Sequence, residues 1–168
     1  MINYGRILSE KEKDNPTTLA RAMFIFSNAG DLFKCYRKWT KQDDLKNAYM
    51  KEMELALGDM LVQCEIASNE HDFRDNIGCK PWELGPHYQE DDKELVIGLI
   101  ASHCGKIVAT ANQWHGQGWR FGNYDFKYYI CETYTWTMQL CKLLELDVDD
   151  IRHLGFIHTI EKLRDDIK

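Results

Sequence analysis

Helix breakers are scarce in this chain. Only three prolines occur in 168 residues, Pro16, Pro81 and Pro86, and each falls where the apolar spacing is already interrupted. No segment alternates apolar and polar residues over a strand's length, so a sheet has nothing to build on. No apolar run approaches the roughly 18 residues that a membrane span needs, and the polar start, MINYGRILSEKEKD, has no signal-peptide apolar core. These absences point to a cytoplasmic chain that makes no membrane contact. Basic excess is missing too: 21 Lys and Arg stand against 27 Asp and Glu, a net charge of −6. An extended nucleic-acid surface normally needs the opposite balance, although a small anion arriving with a divalent metal remains compatible. The six cysteines include no C-x-x-C pair and mostly lie in apolar helical contexts. They read as small buried thiols in a reducing compartment, not as disulfides or a zinc site.

What is present is helical periodicity. Asn15-Pro16-Thr17 reads as an N-cap with proline at the first turn. Leu19, Ala22, Met23, Phe26, Gly30 and Phe33 then recur at steps of three and four, which predicts a helix to about Trp39. After a polar break, a second helix is expected from Asp44 to about Asn69. The stretch DNIGCKPWELGPHYQ reads as a loop or linker. A third helix is expected from about Asp91, and the glycine-rich HGQGWRFGN separates it from a fourth over about 124–144. Asp147 then caps a fifth. The expected fold is a single all-α domain of about five helices.

The chain also aligns with itself without gaps at an offset of 75 residues. Ser27 meets Ser102, Gly30 meets Gly105, Trp39 meets Trp114 and Tyr49 meets Tyr124. Each half has a long helix with Ser-x-x-Gly ending near a tryptophan, a polar loop, a second long helix and an acidic turn. This predicts two helical hairpins, at about 16–75 and 91–150, joined by a linker over 76–90 and followed by a C-terminal helix over 148–168.

Two stretches carry chemistry: SNAGDLFKCYRKW (Ser27–Trp39) and EMELALGDMLVQCEIASNEHDF (Glu52–Phe73). Together they resemble the MazG-like family of all-α nucleoside triphosphate pyrophosphohydrolases over roughly Ala20 to Asp75. The family pattern is E-x-x-E on one helix and E-x-x-D on the next. Residues three apart share a helix face, so two such pairs on adjacent antiparallel helices make a cage of carboxylate oxygens suited to Mg²⁺. The resemblance implies a (deoxy)nucleoside triphosphate ligand and Mg²⁺, or Mn²⁺ in its place. It implies Asn28, Asp31, Glu52 and Asp59 as the metal set, with Glu52 and Asp59 as the catalytic carboxylates. Lys34 and Lys38 would steady phosphates, and Trp39 and Trp114 would stack on a base or close the end of the core. The family pairs helical hairpins into dimers, so a duplicated chain is expected to do this internally or as a homo-oligomer.

The departures are equally specific. Asn28 and Ala56 stand where the pattern has Glu, and Asp31 is a methylene shorter than Glu. Glu52, two turns before Asp59, is placed to substitute in part. At the 75-residue offset the second half offers His103, Lys106, Cys131 and Tyr134, which predicts at most one divalent metal per chain, in the first half. Lys106 would reach solvent or pair with an acid such as Glu132. Three readings follow: a metal-dependent hydrolase, a non-catalytic nucleotide- or protein-binding module of the same fold, or an unrelated bundle with Asp31 and Asp59 merely solvated.

Overall fold

A computed structural model describes residues 2–12, 16–41, 46–71, 90–117 and 123–165. Its described residues form six helices: α1 (Tyr4–Lys11), α2 (Thr18–Lys41), α3 (Lys46–Glu70), α4 (Lys93–Gln117), α5 (Asn123–Leu143) and α6 (Val148–Asp165). The class is all-α, as the periodicity predicts. The N-terminal helix α1 was not expected: its eight residues expose a polar face and bury only Tyr4, Gly5 and Leu8, too short a stripe to stand out. The linker DNIGCKPWELGPHYQ (75–89) lies outside the described residues, as do 118–122 of the expected loop HGQGWRFGN (115–123); residues 115–117 of that expected loop instead continue α4, and Asn123 opens α5.

Helix ends follow local chemistry. Thr17, not Asn15, closes the α2 N-terminus, its hydroxyl accepting from Ala20 N–H at 3.1 Å. Pro16 precedes that cap. Asp147 caps α6 as expected, accepting from Asp150 N–H at 3.0 Å. The α5 C-terminus closes with Glu145 at φ 58 and Leu146 N–H donating back to Cys141 C=O at 2.9 Å, the wrap that satisfies a helix's last carbonyls.

Two hairpins pack side by side. Helix α2 contacts α3 and α4, while α5 contacts α4 and α3. Arg21 near the start of α2 meets Glu70 at the end of α3, so that hairpin is antiparallel. Helices α2 and α4 repeat one burial pattern. The seven buried residues of α2 are Arg21, Ala22, Ile25, Ala29, Leu32, Cys35 and Tyr36. At the 75-residue offset they fall on Val96, Ile97, Ile100, Cys104, Ile107, Thr110 and Ala111, the buried residues of α4.

The second helices need a different register. An offset of 75 would set buried Leu57 against Glu132 and buried Met53 against Tyr128, which is 49% exposed. An offset of 73 pairs Met53, Leu57, Met60, Leu61 and Cys64 with Phe126, Ile130, Thr133, Tyr134 and Thr137, all buried. Between matching positions of its two helices the second hairpin therefore has two residues fewer than the first, and the position matching Asp59 is Glu132 rather than Tyr134.

Helix α3 is the hub, since α1 and α6 cover its remaining sides. The α3–α6 crossing is made by glycines. A Cβ on Gly58 would lie 2.6 Å from Ile151 O and 2.8 Å from Gly155 N, distances that no side chain tolerates. Beneath the α1–α3–α6 junction, Arg152 donates to Glu65 Oε1 at 2.5 Å, as does the Tyr134 hydroxyl at 2.8 Å. Burial works to discharge Arg152, but its hydrogen bond and charge pairing with Glu65 win and hold its pKa above the ordinary arginine value.

By length and composition α4 passes as a membrane-spanning segment over Lys93–Gln113, with mean hydropathy 1.4. The sequence reading overlooked it because Lys93, Glu94, His103 and Lys106 interrupt the run. Its inner face, from Val96 to Ala111, is buried in the bundle core, while 39% of the apolar window as a whole is buried. Among the described cysteines none is in a disulfide: Cys35, Cys64, Cys104 and Cys141 are buried and Cys131 is partly buried. Cys79 lies outside the described residues.

Candidate functional site

Gly58 and Asp59 are consecutive, so the glycine crossing delivers α6 side chains onto the carboxylate. One turn beyond Gly155, His158 Nδ1 lies 2.8 and 2.9 Å from the two Asp59 oxygens. An ionised carboxylate only accepts, so Nδ1 carries the proton. Lys162 Nζ, a turn further, is 3.6 Å from the second oxygen. Asp59 is buried at 8% exposure, a position a carboxylate holds only with such partners.

A cleft of about 370 Å³ opens between α2, α3 and α6. It is lined by Asn28, Asp31, Lys34, Cys35, Lys38, Glu52, Leu55, Ala56, Asp59, His158 and Lys162. Six of the sequence-selected residues (Asn28, Asp31, Lys34, Lys38, Glu52 and Asp59) thus come together. Trp39 does not join them. It packs partly buried against the core, with its ring centroid 5.8 Å from that of Tyr36. The Trp114 side chain lies outside the described residues.

Within the cleft, the Cys35 thiol donates to Glu52 Oε2 at 3.6 Å. Burial, and then the Glu52 charge, push the Cys35 pKa up, so this is a neutral thiol rather than a nucleophile. Lys38 Nζ stands 5.2 Å over the Tyr49 ring, which holds its ammonium near the cleft mouth. A second cavity of about 360 Å³ shares Asn28, Asp31, Asp59 and Lys162 with the first, and continues past Phe24, Ser27, Gln63 and Thr159.

Among the described residues, no group of three or more His, Cys, Asp or Glu is placed to hold a metal ion. The fit to Mg²⁺ is poor for a visible reason. Both Asp59 oxygens face an internal donor, Glu52 is engaged by a thiol, and Asn28 and Ala56 supply no carboxylate.

The corresponding place in the second half is built differently. His103 Nε2 lies 3.8 Å from Glu132 Oε2, and Lys106 Nζ stands 5.4 Å over the Tyr129 ring. Lys106 is exposed, as expected of an ammonium in this position. Tyr134 faces the opposite way, toward Glu65, as the corrected register requires.

His158 and Lys162 are the cleft residues that the sequence reading missed. A signal existed: each of two helices carries an interior glycine, in LALGDM and RHLGFIH. Had these been paired as a crossing, Asp59 would have met the residues just beyond Gly155.

Comparison with protein-family models, with curated proteins and with solved structures gave no match.

Proposed function

We propose that this chain is a MazG-like nucleotide-binding protein whose α2–α3–α6 cleft takes the phosphates of a (deoxy)nucleoside triphosphate without hydrolysing it. The observation that carries this reading is His158 Nδ1 at 2.8 and 2.9 Å from both oxygens of Asp59. An internal donor occupies the carboxylate that the family resemblance assigns to a metal. With Asp59 answered by His158 and Lys162, it repels a phosphate less. Lys34 and Lys38 line the same cleft and set two ammonium charges against the carboxylates of Asp31 and Glu52. Lysine ammonium groups hold phosphates as point charges.

A second reading, Mg²⁺- or Mn²⁺-dependent pyrophosphohydrolysis, draws on the fact that Asp31, Glu52 and Asp59 line one cleft. It requires α6 to release Asp59. A panel of nucleoside triphosphates incubated with Mg²⁺ or Mn²⁺ and assayed for pyrophosphate separates the two. Binding without pyrophosphate supports the first; release that disappears in Asp59→Ala supports the second. Oligomeric state is a separate expectation. Met23, Phe26 and Phe33 are about half exposed on one stripe of α2, and light scattering decides whether a second copy covers them.

A further inference from the structure

The two cavities meet at Asn28, Asp31, Asp59 and Lys162, so they are the two ends of one cleft. From Phe24 to Lys38 it follows α2 for about 20 Å, at 1.5 Å rise per residue. The outer end has the lysines. The inner end holds Arg21, which at first sight is a second anion site.

Its hydrogen bonds exclude that. A guanidinium has five N–H donors, and all five of Arg21's are used. Nε donates to Glu70 at 3.3 Å, and Nη1 donates to Glu12 at 3.2 Å and to Gln63 Oε1 at 2.6 Å. Nη2 donates to Glu70 at 2.7 Å and to Glu12. Two carboxylates more than neutralise the single cation, so a phosphate would be repelled at this end. Arg21 also fixes the orientation of Gln63. Because Oε1 accepts from Arg21, the Nε2 amide group is the free edge, and it has no partner among the described residues. Phe24, 50% exposed, lines the same cavity.

A flat apolar ring and an oriented amide donor in one cavity are the pair of groups that recognises a nucleobase, one by stacking and the other by an edge hydrogen bond. We infer that the inner cavity is a base subsite, with Phe24 stacking on the ring and Gln63 Nε2–H donating to a carbonyl-bearing base such as uracil or guanine. This rests on the nucleotide reading above and adds a direction: phosphates at Lys34, Lys38 and Lys162, base toward Arg21. Adenine, which has no carbonyl, leaves the Gln63 donor with a poorer partner.

Titration calorimetry in EDTA tests this with uridine, guanosine and adenosine triphosphates and with inorganic tripolyphosphate as the base-free probe. Uridine or guanosine triphosphate should bind about tenfold or more tightly than tripolyphosphate, in line with the strength of base–aromatic stacking. Phe24→Ala should erase that advantage and leave tripolyphosphate affinity unchanged. Gln63→Leu should narrow the gap between the carbonyl-bearing bases and adenosine. Because that change strips one partner from Arg21, a thermal melt accompanies it, and the half-exposed Phe24 carries the test if the fold suffers. Equal binding of tripolyphosphate and all nucleotides, unchanged in Phe24→Ala, overturns the base subsite while phosphate binding stands. No binding of either kind overturns the nucleotide reading itself.

Discussion

The two hairpins bury the same positions and treat their polar groups differently. Helices α2 and α4 share one buried set at a constant offset, yet Asp59 of the first hairpin is answered from outside the hairpin, by His158 and Lys162 of α6. Its counterpart Glu132 is answered from within, by His103 of α4. Packing conserves which side of a helix is apolar, because that is what a core requires. It leaves the polar faces open to diverge. The first half acquired a cleft because α6 leans on α3 there, at Gly58, where the second half has Cys131.

The largest expected difference between the halves lies at Glu65, whose counterpart is Met138, buried and apolar. Glu65→Met takes away the buried carboxylate of Arg152, leaving it the exposed Asp149 at 3.0 Å, and should cost about 3–5 kcal/mol, the range for breaking a buried pair. Met138→Leu should cost less than about 1.5 kcal/mol as a volume-conserving exchange. Urea denaturation of both variants measures the contrast, and comparable losses would show that the buried pair is no more demanding than a methionine.

Next comes the glycine crossing. Gly58→Ala puts a methyl against the backbone of α6 and should lose about 1–3 kcal/mol through overpacking, despite alanine's better helix propensity. Cys131→Ala, at the matching place, should lose less than about 1 kcal/mol. A stabilised Gly58→Ala would mean that α6 is not held where it is described.

A pH dependence follows from His71, whose counterpart Leu144 cannot titrate. Burial, with the Lys127 and Arg21 charges, lowers the His71 pKa to about 4 from its ordinary 6.5. Its ring contacts Phe126 edge-on at 4.9 Å. Between those two pH values the unfolded chain binds the extra proton and the folded chain does not. The His71 contribution to stability is thus full above pH 6.5 and falls as pH drops toward 4. Melting temperatures measured from pH 7.5 to 4.5 should decline, and less steeply in His71→Gln. Parallel curves for the two proteins would remove His71 from the account.

The smallest effect belongs to Lys106. Exposed over Tyr129, it should contribute about 0.5–1 kcal/mol as a cation–π contact, and Lys106→Ala should leave nucleotide binding untouched. Lys34→Ala, in the first-half cleft, should weaken it.

Much of this was legible in the sequence. Five helices were readable because their apolar residues are periodic, although on α2 the stripe read from the sequence through Met23, Phe26 and Phe33 is about half exposed and Ile25, Ala29 and Leu32 are buried instead; the motif positions Asn28, Asp31 and Asp59, with Glu52 as a substitute, do line one cleft. Helix α1 escaped because a two-turn helix has too few residues to declare a period. The register of α5 escaped because a gapless repeat carries the offset of 75 from α2 and α4 on to α3 and α5, where the buried positions match at 73. His158 and Lys162 escaped for a third reason. Periodicity shows which face of a helix is apolar, whereas the partner of Asp59 depends on where two helices cross, and only the glycines hint at that.

In the proposed reading α6 gives Asp59 an internal partner, His158, and the cleft would then take phosphates without a divalent metal. Calorimetric titration of the intact protein with a nucleoside triphosphate in EDTA, repeated on Lys34→Ala/Lys162→Ala, tests it most directly. The account predicts binding in EDTA that falls by about tenfold or more in the double variant, each lost phosphate contact being a charge-assisted one. Binding that appears only with Mg²⁺ or Mn²⁺ and vanishes in Asp59→Ala would contradict it, and would return Asp59 to the role of metal ligand.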